Sequence, residues 1–215
     1  RGLRRRVPAI LEVDARRLPL VYPQAFSMCG TPALLYGEEI GMTGTKPDER
    51  IRTPMRWSVD EPAAGFSEVD PWQALSDDAP EVNVATQSDD PDSLLATYRD
   101  LVRVRNATPA LRRGATTLVE GGAEPVMAWL RTTADETLLV MVNVSDEPAD
   151  TYGLVLDGGP LCGPVSARLV GSIGGDPGAT PAAPRVTAEG GLDGYQPLPV
   201  LAPRSGYVIA LEPAP

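Results

Sequence analysis

Apolar positions recur at helical spacing twice near the start of the chain: Leu3, Val7, Ile10 and Leu11, then Leu18, Val21, Tyr22, Ala25 and Phe26. Two helices are predicted within residues 1–28. Pro19 suits the first position of the second helix. Pro23 is expected to kink or end it, because proline has no N–H for the helical ladder and its ring crowds the preceding turn. The apolar run Ala33–Tyr36 then predicts a short, fully buried strand that leaves through Gly37 into an acidic turn. Residues 41–90 carry Gly, Pro and Asp without a sustained period. They predict a long loop, and a loop of that length in a compact chain usually serves function. Leu94, Leu95, Tyr98, Leu101, Val102 and Arg105 share one face of a helix over 91–107, with Asp90 as cap, Pro91 at its first position and Thr108-Pro109 as its end.

From about Ala115 the period changes from helical to alternating. Short β-rich runs follow one another: ATTLVEG, PVMAWLRT, ETLLVMVNVS, TYGLVL, SARLVGS, RVTAE, LPVLAP and GYVIALE. Clusters of Gly, Pro and Asp separate them, which predicts an antiparallel β-sandwich over 115–215. Gly171–Pro184 reads as a flexible loop and Trp129 as a strand residue of the core. The change at Arg113–Ala115 sets the expected domain boundary, and the short apolar run followed by a helix in the first part is the pattern of an α/β layer.

Composition narrows the chemistry. There is no histidine among the 215 residues, which excludes His-dependent triads and His-ligated metals. The two cysteines, Cys29 and Cys162, form no CxxC motif and are expected as free thiols in a reducing cytoplasm. The net charge is −10, yet residues 1–20 hold Arg1, Arg4, Arg5, Arg6, Arg16 and Arg17 against only Glu12 and Asp14. Such a cluster reads as a solvated helix face, and without a wider basic surface no nucleic-acid partner is expected. No apolar run reaches the length of a transmembrane helix. The chain begins at Arg1 without the apolar core of a secretory signal and is expected to be a fragment or a processed product. GxGxxG, GxxxxGK[ST] and GxSxG are all absent.

The chemically dense stretch is KPDERIRTPMRW (Lys46–Trp57), which carries Asp48, Glu49, Arg50, Arg52, Arg56 and Trp57. Tyr36, Glu38 and Glu39 precede it. An Asp and an Arg four positions apart can converge on a hydroxylated ligand, since Arg donates a rigid fork of N–H groups and Asp accepts from vicinal hydroxyls. An aromatic face beside them suits the C–H face of a sugar. The alternative is that these charges pair with each other and pin the loop. Glu38 and Glu39 resemble a glycosidase carboxylate pair, but neighbours on a strand point to opposite faces and would not flank one bond together.

With these motifs in view, the chain resembles glycoside hydrolase family 13, the α-amylase superfamily. The resemblance rests on GTPALLYGEEIGM, IRTPMRW, AGF (Ala64–Phe66), PW (Pro71-Trp72), VNVATQ (Val82–Gln87), SLLATYRDLVRVRNATPALRRG, MVNVS and APRSGYVIAL, and covers nearly the whole chain. It implies the C-terminal end of a (β/α)8 TIM barrel, its last strand and helices with the long loop 41–90 at the C-terminal face, over residues 1–114. An antiparallel β-sandwich domain would follow over 115–215. It also implies that Asp48 and Arg52 contact the reacting glucose, with Tyr36, Glu38 and Trp57 shaping the pocket. The family's catalytic Asp, Glu and second Asp belong to earlier strands. No catalytic residue, metal or cofactor is therefore implied in this chain, which alone would be inactive. RGLRRRVPAILEVDARR is similar to the trehalose-synthase branch and GMTGTKPDERIRTPM to the branch of α-glucosidases and amylases of intermediate specificity. The implied partner is an α-glucan or maltose-type oligosaccharide, and the implied reaction a retaining double displacement. A non-catalytic carbohydrate-binding or vestigial remnant is the alternative of a different class. Arg56 stands where relatives carry Gln, and Cys29 where they carry Pro.

Overall fold

The computed structural model describes residues 4–12, 18–60, 62–75, 78–121 and 125–214. Leu3 of the first apolar stripe, with Arg1, Asp14, Arg16 and Arg17 of the charged start, lies outside them. Packing groups the chain into two units, Arg1–Pro19 with Pro32–Leu101, and Leu20–Thr31 with Val102–Pro215. The helices in chain order are α1 (Val7–Ile10), α2 (Leu18–Ser27), α3 (Asp48–Ile51), α4 (Val84–Ser88), α5 (Leu94–Ala107) and α6 (Pro109–Arg113). A 3-10 turn at Glu38–Ile40 lies between α2 and α3.

In the first unit the expected strand is corrected. Ala33–Leu35 has no regular secondary structure and Tyr36 stands in a turn, and Leu34 and Tyr36 are 44% and 43% exposed. A strand exists only through pairing, and among the described residues no strand runs beside it. The apolar run alone could not supply that neighbour. The loop 41–90 likewise contains two short helices, α3 and α4. Asn83 caps α4, its side chain accepting from the Thr86 amide at 2.8 Å. The expected cap of α5 moves too. Asp90 accepts from the Asp92 amide in a local turn, while Ser93 Oγ accepts from the Ala96 amide at 3.1 Å. The helix therefore starts at Leu94, and Pro91 lies in the turn before it.

In the second unit α2 runs past Pro23 to Ser27 rather than ending there. The missing N–H costs about 3 kcal/mol. Leu20, Tyr22 and Phe26 are each no more than 5% exposed, and burying three such side chains contributes more than that cost, at about 1.5–3 kcal/mol each. Ser27 Oγ donates back to the Pro23 carbonyl. After α5 the chain stops at Thr108, and Pro109 opens the short α6 that periodicity does not reveal.

The strands are β1 (Ala115–Val119), β2 (Val126–Thr132), β3 (Thr137–Asn143), β4 (Leu154–Leu156), β5 (Val165–Ile173), β6 (Leu192–Tyr195) and β7 (Ser205–Pro213). Five form an antiparallel sheet in the order β1-β2-β3-β7-β5, and β4 pairs with β6 in a separate two-stranded sheet. β3 is central and both of its faces are buried. Leu139 and Met141 join Tyr152, Leu154, Leu192, Tyr195 and Leu201 in one cluster. Leu138, Val140 and Val142 join Leu20, Ala110, Leu111 and Trp129 in another. That double burial is why LLVMV is apolar throughout instead of alternating. The runs RVTAE and LPVLAP give only isolated bridges at Val186 and Leu201. Prolines at 184, 197, 199 and 203 remove the amides that a longer ladder needs. Cys29 and Cys162 are free and exposed.

Two buried phenols make this core sensitive to alkali. Tyr152 Oη donates to the Leu198 carbonyl at 2.7 Å, and Tyr195 Oη to the Ala182 carbonyl at 2.6 Å. Burial pushes the Tyr152 hydroxyl up to about 12, and burial raises Tyr195 as well. Both phenols are held neutral by the fold. Their contribution is complete below the unfolded tyrosine value of about 10 and is lost as pH rises from there through the folded value. Tyr152 alone accounts for about 2–3 kcal/mol of that loss by pH 12. Urea midpoints compared at pH 9 and near pH 12 should fall accordingly. Equal midpoints in wild type and Tyr152→Phe across that interval would show that the phenol is not the cause.

Candidate functional site

The site grows out of the turn at Gly37. This residue has φ +84°, and a Cβ there would lie 2.3 Å from the Met42 sulfur, so a side chain is excluded on both counts. The turn sends the two following carboxylates apart. Glu38 is 6% exposed, and its Oε1 accepts from the Val7 amide at 3.3 Å, at the first residue of α1. Glu39 lines a pocket instead. Gln87 holds the turn from beneath: its Nε2 donates to the Ile40 carbonyl at 2.8 Å, and its Oε1 accepts from the Leu95 amide at 3.1 Å. Ile40, Met42, Met55 and Leu95 fill the space under it.

More of the lining comes from the segment that follows α3. Asp48 and Arg52 lie one helical turn apart and form an ion pair at 3.3 Å. Asp48 is also bonded to Lys46. That bond, with the Lys46 charge and a smaller contribution from Arg52, holds the Asp48 carboxyl below the ordinary aspartate range. Arg52 remains 67% exposed at its side chain and lines the pocket. Water screens an exposed pair of this kind, so exchanging it for ligand contacts costs little. Arg56, by contrast, is 1% exposed and paired with Asp78 at 2.9 Å. Its carbonyl and that of Trp57 accept from the Val84 and Ala85 amides at the start of α4. This fixes the backbone at Trp57 while leaving its ring half exposed.

Tyr36, Trp57, Phe66 and Trp72 bring four aromatic rings to one pocket of about 420 Å³, together with Glu39, Arg52, Pro54 and Met55. Phe66 reaches it through a turn in which Ala64 adopts φ +51° and its carbonyl accepts from the Trp57 and Ser58 amides. Tyr36 is fixed by its hydroxyl, which donates to the Thr53 carbonyl at 2.9 Å. Of the residues expected from sequence, Tyr36, Arg52 and Trp57 converge here. Asp48 stands beside the pocket through Arg52, and Glu38 is turned away to α1. Glu39, one of the two carboxylates after Gly37, joins the first three, and so do Phe66 and Trp72, which sequence reasoning misses as pocket residues. The signal was the aromatic spacing in AGF and PW, two segments with no periodicity and therefore no visible partner. Among the described residues no group of three His, Cys, Asp or Glu side chains is placed to hold a metal.

A shallow aromatic pocket with one exposed guanidinium and one carboxylate suits a neutral, hydroxyl-rich ligand. Residues 4–114 match the alpha amylase catalytic domain model. The chain belongs to the alpha-amylase catalytic-domain family. It has the fold of that family, extended here by an antiparallel sheet. A trehalose synthase from Thermus thermophilus is 37% identical over 174 residues, 72% of this chain and 18% of that protein. The trehalose synthase/amylase of Mycobacterium tuberculosis is 32% identical over 160 residues, 68% of this chain and 26% of that protein. A trehalulose synthase structure from Pseudomonas mesoacidophila shares the fold at a TM-score of 0.68 and 23% identity, covering 92% of this chain and 38% of that one. This alpha-amylase family chain thus spans about a fifth to a quarter of these curated relatives and under two fifths of that solved structure.

Proposed function

We propose that this alpha-amylase family chain is the C-terminal portion of a retaining glycoside hydrolase acting on α-linked glucose oligosaccharides. Residues 1–114 would form the end of a (β/α)8 barrel and 115–215 a β-sandwich. The observation that carries the reading is the convergence of four aromatic rings with Arg52 and Glu39 on one pocket. Rings bury the apolar faces of a pyranose while charged groups at the rim bond its hydroxyls. Arg52 would bind the reacting glucose. Asp48 would hold the Arg52 fork in place and accept a hydroxyl when the ion pair opens. The two carboxylates that a retaining mechanism needs are separate groups about 5 Å apart across one bond. Glu38 caps α1 and Glu39 stands at the pocket without a carboxylate partner among the lining residues. We therefore assign this chain substrate binding and place the bond-breaking carboxylates outside it. The free thiols at Cys29 and Cys162 fit a reducing compartment.

Titrating maltose into the chain is expected to change the fluorescence of Trp57 and Trp72, with Trp57→Phe and Trp72→Phe each removing part of the response. No response at about 10 mM, a dissociation constant equivalent to roughly 3 kcal/mol, would remove the reading. In the complete enzyme Arg52→Ala should lower kcat/KM for maltose by at least about tenfold, and a loss under about threefold is incompatible with the role assigned. A second reading, isomerisation of maltose to trehalose by intramolecular transfer, is favoured by the two trehalose synthase relatives. Glucose release against trehalose formation from maltose separates the two.

A further inference from the structure

Three arginines stand in a row at the start of the chain, and the fold treats the third differently. Arg4 and Arg5 are exposed, whereas Arg6 is fully buried. Its Nε donates to the Ile51 carbonyl at 2.7 Å and its Nη1 to the Tyr36 carbonyl at 2.5 Å. The guanidinium also lies 5.0 Å from the centroid of the Tyr36 ring, within cation–π range. Its own amide is held by the Gly44 carbonyl at 2.9 Å. The two carbonyls it binds belong to the two segments that bring Tyr36 and Arg52 to the pocket. One is Tyr36 itself. The other is the last residue of α3, immediately before Arg52, where a helix leaves its carbonyls without intrahelical donors. Tyr36 Oη in turn reaches back to Thr53, the residue after Arg52. Arg6, Tyr36, Thr53 and Ile51 therefore close a ring of bonds around Arg52, and a single planar fork holds one side of it.

We propose that Arg6 is the positioning residue of this pocket: its guanidinium sets the distance between the Tyr36 wall and the turn that carries Arg52. The assignment rests on the sugar-pocket reading above and adds to it a residue that touches no ligand. Stability alone is a weak reason for burying this charge, since a hydrophobic side chain of similar size usually serves as well. Bridging two carbonyls at fixed angles requires the arginine fork. A lysine keeps the charge and lacks the geometry.

The test uses maltose as probe and the full chain. Arg6→Lys should weaken maltose binding by about fivefold or more through misplacement of Tyr36 and Arg52, while the exposed neighbour change Arg5→Ala leaves binding unaltered. In wild type, the Nε–H proton resonance of Arg6 should shift on maltose addition together with the indole resonances of Trp57 and Trp72, a signature that a merely structural arginine does not give. If Arg6→Lys does not fold, the wild-type resonances decide alone. Equal affinity of Arg6→Lys and wild type, or an unmoved Arg6 resonance while the two indoles shift, would overturn the assignment and leave the pocket standing. If the indoles do not move in wild type, the pocket reading fails and the assignment falls with it.

Discussion

Replacing Arg105 with alanine is expected to destabilise the second unit by about 3–5 kcal/mol. Arg105 is 8% exposed near the end of α5. Its Nη1 donates to the carbonyls of Phe26 at 2.5 Å and Leu111 at 2.7 Å, and its Nη2 to that of Gly30 at 2.8 Å. One side chain thus satisfies the end of α2, the turn after it and the end of α6. Burial lowers its pKa, with the Arg112 charge acting in the same direction, but an arginine stays protonated across the working range. Truncation takes this donor from the Phe26 and Gly30 carbonyls, while the Leu111 carbonyl keeps Arg131 Nη2 at 3.2 Å, and each orphaned buried acceptor costs about 1–3 kcal/mol. Arg105→Lys should recover part of the loss, because an ammonium can reach one or two of the three. Arg112→Ala, an exposed change on α6, should stay within about 0.5 kcal/mol of wild type. Urea unfolding of the three variants measures this directly. A loss below about 1 kcal/mol for Arg105→Ala would mean that water reaches these carbonyls.

Trp129→Ala is expected to cost a similar amount, about 3–5 kcal/mol, for a different reason. The indole is 2% exposed and packs with Leu20, Ala110, Leu111 and Leu138 on one face of β3. Removing it leaves a cavity that neither the sheet nor the helices can close without breaking their own bonds. Its Nε1–H has no hydrogen-bond partner among the described residues, so the loss is one of packing alone. Trp129→Phe should therefore cost much less, about 1–2 kcal/mol. Thermal melting of both variants gives the comparison. The maltose response of Trp57 and Trp72 should survive in Trp129→Phe. If it disappears while the melting temperature holds, the core role given to Trp129 is mistaken.

These arginines also mark where the sequence stops being legible. Periodicity found α5, the central strands and β7, because burial of one or both faces leaves a regular apolar imprint. The crowding of aromatic and charged residues in one aperiodic stretch marks Arg52 and Trp57 as candidates, and both line the pocket together with Tyr36. Neither signal shows that Arg6, Arg56, Arg105 and Arg131 are buried. Arg56 pairs with Asp78, twenty-two positions away in an aperiodic stretch, and the bonds of Arg6, Arg105 and Arg131 go mostly to backbone carbonyls, which every residue carries, so nothing in the sequence announces these pairings. Arg131 is typical: it lies in β2 and donates to the Ala110 and Leu111 carbonyls at the end of α6. For the same reason Ala33–Tyr36 was misread as a buried strand. Its apolar residues record a propensity, whereas a ladder needs a neighbour. Glu39 and Glu38 were equivalent on paper, and only the left-handed turn at Gly37 separates the pocket residue from the helix cap.

The interleaving of the two units bears on how such a chain can be inherited. Leu20–Thr31 packs with the later unit although residues 32–101 of the earlier one follow it. The polypeptide changes unit at Leu20, at Pro32 and again at Val102. No single recombination point in the gene can therefore pass on either unit alone, free of a segment of the other. A crossover after α6 would deliver the whole sheet but leave behind Leu20 and the rest of α2, baring Leu138 and Trp129 in the recipient. The sheet is most readily acquired together with its predecessor, which ties the evolutionary fate of the aromatic pocket to that of a β-structure contributing none of its lining among the described residues.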